Sequence, residues 1–241
     1  MNDSRELILG RIRERLGRDP ANAPAATAAV AATLAARTPG PRPPADADIV
    51  AAFRARSEAL ASTVDEVASL ADVPRAIAAY LAGHKLAPRA VCVPDLAGLD
   101  WHDAGIAVEA RAAVDQDLVG ITGAFRAIAE TGTLMLCTGP ATPATVSLLP
   151  ETHIAVVPAS TILAGMEDGW AAARAEFGAP PKRGAVPSAL AEGATVQADA
   201  AVALPRAVNF ISGPSRTGDI EQTIVLGAHG PYRVHIVIVR G

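Results

Sequence analysis

Aromatic residues and cysteines are scarce in this sequence. Phe, Trp and Tyr make up 3% of the 241 residues, whereas half of all residues are apolar. A large core can therefore be buried, but the platforms on which single-stranded nucleic acids stack are few. Cys92 and Cys137 are the only cysteines, and they form no C-x-x-C motif. We expect no iron–sulfur cluster or zinc site built by this chain alone.

A basic stripe, paired histidines and a long apolar run are missing as well. The formal net charge is -4 at pH 7, and the 21 lysines and arginines are spread along the chain, so we expect no nucleic-acid partner. The five histidines show no paired ligand spacing, which argues against a metal site. The N-terminus lacks the uninterrupted apolar segment of a secretory signal, and no run is long enough to span a membrane. These features predict a cytoplasmic protein.

The N-terminal residues 1–18 predict a short amphipathic helix. Asp3 and Glu6 have the spacing of a capping box, and Gly17 ends the pattern. The apolar residues recur at helical spacing between these signals: Leu7, Ile8, Ile12 and Leu16. The narrow apolar stripe must dock either on the main domain or on a partner.

Residues 19–47 predict a linker between this helix and the main domain. They contain six prolines and few large apolar groups, so they bury too little surface to order themselves strongly. The alanines at 25–36 are expected to form a helical turn or two at most, because short helices without packing are marginal. The main domain is then expected over residues 48–241.

From residue 48 onward, helical patterns alternate with short apolar runs. Most runs are almost continuously hydrophobic, which is typical of strands buried on both faces of a parallel sheet. The prediction is an α/β domain with a mostly parallel sheet covered by helices. The predicted strands are Thr63–Ala68, Ala90–Val93, Leu134–Cys137, Ile154–Val157, Val208–Ile211 and Val234–Val239, and the predicted helices are 48–61, 73–83, 159–165, 167–177 and 188–203.

Three glycine-marked segments are the predicted functional loops. They are GITGAF (120–125), AETGT (129–133) and GPSRTGD (213–219). We expect them at the carboxyl ends of the strands, where open α/β sheets bind ligands. None of them is a Rossmann or Walker sequence, so nicotinamide or ATP binding by the usual motifs is unsupported. A serine hydrolase is also excluded, because Asp219 and His229 follow Ser215 too soon to form its triad.

The GPSRTGD segment has the composition of an anion cradle. Hydroxyls and a guanidinium precede Asp219–Leu226, which is compatible with a helix, and anions bind at helix starts. The alternative is that Ser215 or Thr217 caps this helix while Arg216 pairs with an acidic neighbour. The predicted ligand-binding residues here are Gly213, Ser215, Arg216, Thr217, Asp219 and Glu221.

Glu130 and His229 are the candidate catalytic residues. Glu130 precedes a predicted strand, and its carboxylate can serve as a base, a nucleophile or an acceptor for backbone N–H groups in a tight turn. His229 can act as an acid–base group or simply occupy a turn. We expect Glu130 to face the same cleft as the Ser215 loop. Further ligand-binding candidates near Glu130 and in GITGAF are Thr122, Thr131, Gly132 and Thr133.

Three segments together resemble the LUD-domain proteins, in particular their lactate utilization protein C branch. They are GITGAFRAIAETGTLMLCTG, LLPETHIAVVPASTIL and NFISGPSRTGDIEQTIVLGAHGPYRVHIVIV. The resemblance implies a three-layer α/β fold like that of ribose-5-phosphate isomerase, glucosamine-6-phosphate deaminase and the CoA transferases. It also implies a role in oxidising L-lactate to pyruvate alongside two iron–sulfur partner proteins, in which this chain binds no cofactor of its own.

Three functions follow from this resemblance. The first is a cytoplasmic subunit of an L-lactate utilization system that contributes an anion-binding pocket for a carboxylate or phosphate. The second is a free-standing enzyme similar to CoA or acyl transferases or to a cyclo-ligase, with Glu130 as nucleophile or base. The third is a non-catalytic scaffold whose polar loops stabilise the fold.

Overall fold

A computed structural model divides the chain into two compact units, Met1–Pro43 and Pro44–Gly241. The structure describes residues 2–17, 19, 21–36, 38, 40–178, 205–220 and 223–241. Of the residues selected by sequence, Glu221 and the predicted helix 188–203 lie outside these ranges.

The first unit contains two helices, α1 (Asn2–Arg15) and α2 (Ala23–Ala36). The second helix is longer than the turn or two predicted for the alanine-rich segment. Alanine has the highest intrinsic helix propensity. Reciprocal hydrogen bonds between Asp19 and Asn22, at 2.8 and 3.1 Å, close the turn before the helix begins. No residue of α2 is buried.

The second unit is built on a six-stranded parallel sheet with the order β1-β12-β7-β4-β2-β3. The elements of this unit, in chain order, are α3 (Ile49–Ala59), β1 (Thr63–Val67), α4 (Val73–Gly83), β2 (Arg89–Cys92), β3 (Ala107–Ala110), β4 (Val119–Gly123), β5 (Arg126–Ile128), β6 (Thr133–Cys137), α5 (Thr145–Leu148), β7 (Thr152–Pro158), β8 (Ile162–Leu163), α6 (Met166–Phe177), β9 (Val208–Ile211), β10 (Arg216–Ile220), β11 (Thr223–Leu226) and β12 (Arg233–Val239). The long strands β7 and β12 are almost entirely buried, as their continuous apolar runs predict.

The order of the strands reverses between β2 and β4. After β2 the chain adds β3 at the outer edge, and it then returns to place β4 on the other side of β2. The later strands β7 and β12 continue in that second direction, and β12 pairs with both β7 and β1. Loops that leave β2 and β4 therefore diverge at the carboxyl edge of the sheet.

The two faces of the central sheet are covered differently. One face packs against α4, with Val73, Ile77 and Leu81 in the core cluster. The other face packs against α3 and a second sheet of four strands in the order β8-β5-β6-β9, and Phe53 and Leu134 lie in that core. Helix α6 covers the outer side of the second sheet. The mixed second sheet was not predicted, since its strands are short.

The predicted α/β class with a parallel central sheet is confirmed, as are the helices at 73–83 and 167–177. The predicted helix 159–165 is wrong, because this segment forms a single 3-10 turn followed by β8, which pairs with β5. The predicted helix Asp219–Leu226 is also wrong, since this stretch belongs to the antiparallel hairpin β10–β11. Its β-branched run from Thr223 to Val225 favours a strand.

None of the helices in the described part of the chain is long and apolar enough to cross a bilayer.

We predict that Gly120→Ala destabilises the second unit by about 1–3 kcal/mol. A Cβ at this position would overlap the carbonyl oxygen of Val146 and reach 3.0 Å from Pro150, so α5 would have to move away from β4. Gly98→Ala is the matched control, because a Cβ there meets nothing within 4 Å. Urea unfolding of the three proteins measures the effect, and equal stabilities for both variants would contradict the close packing of α5 on β4.

Candidate functional site

A cavity of about 340 Å³ opens at the carboxyl ends of β2 and β4. Val93 and Asp95 follow β2, and Thr122 and Gly123 end β4, so the cavity lies where the strand order reverses. Ligands of open α/β sheets bind in the crevice at this point. The cavity is therefore the candidate functional site.

Apolar groups form most of the cavity wall. Leu136 of β6, Phe125 and Phe177 belong to this wall, and the rings of the two phenylalanines pack against each other with centroids 5.3 Å apart. The guanidinium of Arg126 lies 4.3 Å from the centroid of the Phe125 ring. Arg126 does not itself line the cavity, but it contacts the lining Phe125 and its charge acts on the lining Cys137. A positive charge behind a mainly apolar wall suits a ligand with an anionic end, which must lie away from the lining carboxylate of Asp95.

A few polar side chains interrupt the apolar wall. Asn209 of β9, Ser147 of α5 and Thr122 contribute hydrogen-bonding groups. Cys137 also lines the cavity; burial raises the pKa of its thiol, and the charge of Arg126 opposes this shift. Cys137 is therefore a neutral thiol at pH 7 and a weak nucleophile.

Thr122 is hydrogen-bonded to a fully buried histidine. Its Oγ1 lies 2.8 Å from Nε2 of His153, which is 0% exposed on the neighbouring strand β7. Burial lowers the pKa of His153 to about 4, so the ring is neutral at physiological pH. The sequence selected Thr122 as a ligand-binding residue in a loop, and the structure places it inside β4, at the cavity.

The turn between β5 and β6 is built for close packing. Gly132 has a φ of +61°, and a Cβ there would lie 2.6 Å from the backbone nitrogen of Ser57 in α3. Thr133 bonds to the hydroxyl of Thr131 at 2.8 Å and to that of Ser212 at 2.7 Å. These contacts bring the turn next to the segment that follows β9, away from the residues that line the cavity.

Glu130 accepts a hydrogen bond at a helix start. Its Oε1 lies 2.7 Å from the backbone nitrogen of Met166, the first residue of α6. A carboxylate at this position satisfies an N–H group that has no partner within the helix and interacts well with the helix dipole. This contact corresponds to the N–H-acceptor alternative for Glu130.

The GPSRTGD segment lies at the amino edge of the central sheet. The backbone N–H of Ser215 donates to the carbonyl of Pro231, just before β12, at 2.8 Å. Arg216 donates to the carbonyl of Leu60, just before β1, at 2.8 Å, and Gly213 packs against the same carbonyl.

The expected position of this loop at the carboxyl edge is therefore wrong. Strand β9 belongs to the second sheet, so the rules for the parallel sheet do not fix where the chain leaves it. No helix begins after this loop, because β10 is a strand, and the helix dipole expected to attract an anion is missing. The shared cleft of Glu130 and Ser215 is expected at the carboxyl edge, whereas the structure joins their neighbourhoods through the pairing of β6 with β9 and the Thr133–Ser212 contact. Anion binding by this loop stays a prediction.

The remaining selected residues do not line the cavity. Thr217 is buried in β10, and Asp219 lies in the same strand. His229 is exposed in the turn that precedes β12, as the turn alternative expects. Among the residues that the structure describes, no group of three His, Cys, Asp or Glu side chains is arranged as a metal site.

Several residues of the cavity were missed by sequence reasoning. Asn209 had a usable signal, because it is a polar residue inside the apolar strand β9. Ser147 also interrupts an apolar stretch, and the structure buries its side chain in the short helix α5. Phe125 and Phe177 come from distant parts of the chain, and no sequence pattern connects them.

We predict that Glu130→Ala lowers the free energy of unfolding by about 1 kcal/mol, the usual cost of losing a helix cap. Glu130→Gln should lose less, because the amide oxygen can still accept from Met166. The matched control is Glu151→Ala, which removes an exposed carboxylate. Thermal and urea unfolding measure the change. Unchanged stability of Glu130→Ala would contradict a stabilising role of the hydrogen bond between Glu130 and Met166.

Two buried histidines should make the protein less stable as the pH falls. Burial lowers the pKa of both His153 and His235 to about 4, whereas each titrates near 6.5 when unfolded. The unfolded chain therefore binds more protons, and the stability present above pH 6.5 is lost on acidification towards pH 4. We expect a loss of about 2 kcal/mol per histidine between pH 7 and 5.

The His153→Gln variant isolates one of the two histidines. Its unfolding free energy, measured at pH 7, 6 and 5, should fall about half as steeply as that of the unchanged protein. Equal slopes would mean that His153 is already protonated, or solvated, in the folded state.

A family model described as the LUD domain matches residues 50–239. The chain is 34% identical over 140 residues to lactate utilization protein C of an Exiguobacterium species, covering 58% of this chain and 52% of that protein. It is 34% identical over 125 residues to lactate utilization protein C of Bacillus subtilis, covering 52% of this chain and 43% of that protein. The chain thus spans about half the length of the curated relatives it matches.

A solved structure agrees with this family match. The crystal structure of a DUF162 family protein from Deinococcus radiodurans superimposes with a TM-score of 0.53 at 26% identity, covering 82% of this chain and 99% of that one. Because the family model extends from α3 to the end of β12, this chain belongs to the LUD domain family.

Proposed function

We propose that this chain is a component of a cytoplasmic L-lactate utilization system and binds a carboxylate-bearing ligand in the cavity between β2 and β4. The relatives named lactate utilization protein C support a role of this chain in lactate utilization. The cavity at the reversal of strand order is the single observation that supports the binding role, since this is where open α/β sheets hold their ligands. Arg126, packed on the lining residue Phe125, supplies a positive charge that would attract a carboxylate.

Oxidation of L-lactate to pyruvate releases two electrons and two protons, which another group must accept. The sequence has only two cysteines, too few to hold an iron–sulfur cluster by itself. We therefore propose that iron–sulfur partner proteins accept the electrons, while this chain holds and orients a reactant. In this proposal the chain itself carries no cofactor.

The volume of the cavity is compatible with a chain that holds lactate while a partner protein accepts the electrons. Lactate has six non-hydrogen atoms, and because bonded atoms take less room than the same number of water molecules at about 30 Å³ each, it would occupy no more than about half of the volume. The remaining half leaves room for part of an electron acceptor beside lactate. The apolar wall around Leu136 and Phe125 would exclude water from the contact between the two.

The free-standing transferase or cyclo-ligase and the scaffold remain alternatives without a specific observation in their favour. An enzyme with Glu130 as nucleophile or base would need this carboxylate free, whereas it is hydrogen-bonded to the start of α6. A pure scaffold would not account for a cavity with polar lining groups at the reversal of strand order.

A growth experiment tests the proposal. The gene is deleted in the organism of origin, and growth on L-lactate is compared with growth on pyruvate. We expect a defect on L-lactate alone, restored by the unchanged gene. Equal growth of the deletion strain and its parent on L-lactate would contradict a role in lactate utilization.

A cavity-filling variant links that role to the site. Ala144 lines the cavity, whereas Ala141 lies three residues earlier, is exposed and does not. We expect Ala144→Phe to leave the growth defect unrepaired and Ala141→Phe to repair it, at equal protein levels by immunoblot. Repair by Ala144→Phe would place the function elsewhere in the molecule.

A further inference from the structure

The pair Thr122 and His153 stands out among the polar groups near the cavity. Thr122 lines the cavity, whereas His153 lies behind it on β7 and does not line it. The two side chains are joined by the 2.8 Å contact between Oγ1 and Nε2. The second ring nitrogen, Nδ1, is buried and has no hydrogen-bond partner within the described segments.

This unpartnered nitrogen indicates which tautomer the ring adopts. A neutral imidazole carries one proton, on either Nδ1 or Nε2. If the proton were on Nδ1, a buried donor would lack an acceptor, which native structures strongly avoid. If it is on Nε2, it donates to Thr122 Oγ1, and only an acceptor nitrogen is left unpaired. The surroundings of His153 therefore favour the Nε2–H form.

The tautomer of His153 determines whether the Thr122 hydroxyl can donate a hydrogen bond to another molecule. Because Oγ1 accepts a hydrogen bond from His153, the hydroxyl proton must point to another acceptor. Thr122 makes no second side-chain hydrogen bond to the chain as far as the structure describes it. Thr122 is one of the residues that line the cavity, so a molecule bound there is the acceptor within reach of this proton.

We propose that Thr122 is the hydrogen-bond donor that recognises a carboxylate or carbonyl oxygen of the ligand, and that His153 is the positioning residue that directs its proton. The inference rests on the proposed role of the cavity as the ligand site. It also predicts specificity, because a ligand without an acceptor atom at this point leaves a buried donor unpaired. Serine can replace threonine in this role, whereas valine has the same shape but no hydroxyl.

Calorimetry with L-lactate and pyruvate as probes tests the donor. The full chain is compared with Thr122→Val and Thr122→Ser at pH 7. Losing a hydrogen bond to a charged oxygen should weaken binding by about ten- to a hundredfold for Thr122→Val, whereas Thr122→Ser should stay within about threefold. Thermal melting of each protein confirms that the measured variants are folded.

Nitrogen-15 NMR of the imidazole tests the positioning role independently of any ligand. The spectrum of the full chain at pH 7 should show His153 neutral with its proton on Nε2, assigned by the signal that His153→Gln loses. Gln places an amide near the position of Nε2, so His153→Gln should retain binding better than His153→Leu. A proton on Nδ1, or equal weakening by both variants, would overturn the positioning role.

The outcomes separate this inference from the proposed function. Failure of the unchanged protein to bind either acid, or equal binding by Thr122→Val, overturns Thr122 as the recognition donor. The growth defect of the deletion strain does not depend on Thr122, so it decides the role in lactate utilization separately.

Discussion

The candidate site depends on one topological constraint, the reversal of strand order between β2 and β4. After β2 the chain crosses the face that holds α4 and Trp101, whereas after β4 it crosses to the second sheet on the opposite face. The two connections leave adjacent strands in opposite directions, and a space remains between them. No single residue creates this space, since it follows from the direction in which parallel strands are connected.

The second sheet determines which side chains line one wall of this space. Here the antiparallel strands β6 and β9 provide a wall with Cys137 and Asn209. The absence of a side chain at Gly120 lets α5 lie directly on β4 and bring Ser147 to the cavity. Burial of Thr122 and His153 in such apolar surroundings costs free energy, which the hydrogen bond between them offsets only in part because Nδ1 of His153 has no partner in the described segments.

Elements with a strong hydrophobic pattern are predictable from the sequence. Elements whose position depends on pairing between distant strands are not. Strands β7 and β12 are predictable from continuous apolar runs, and α4 from its helical spacing. Gly120 and Gly123 are typical of turns and predict a loop where the structure has β4, although Gly120 is needed there for close packing against α5.

Pairing between distant strands explains what was missed at the site. Thr122 was selected from its glycine-rich segment, but its partner His153 could not be, since only the register of β4 against β7 brings the two together. The GPSRTGD segment was misplaced because β9 looks like the strands of the parallel sheet but belongs to the mixed one. Short apolar runs do not reveal which sheet they join.

The position of β12 has a consequence for the order in which the domain assembles. This strand inserts between β7 and β1, and Thr63 bonds to His235 across 172 positions of the chain. Contacts over such separations carry a large entropy of loop closure and form slowly. Until β12 is in place, β1 and β7 each present an open edge that another chain can pair with. Efficient folding of this domain therefore depends on how quickly β12 joins β7 to β1, and an incompletely folded chain is most exposed to aggregation at β7, whose edge stays open until then.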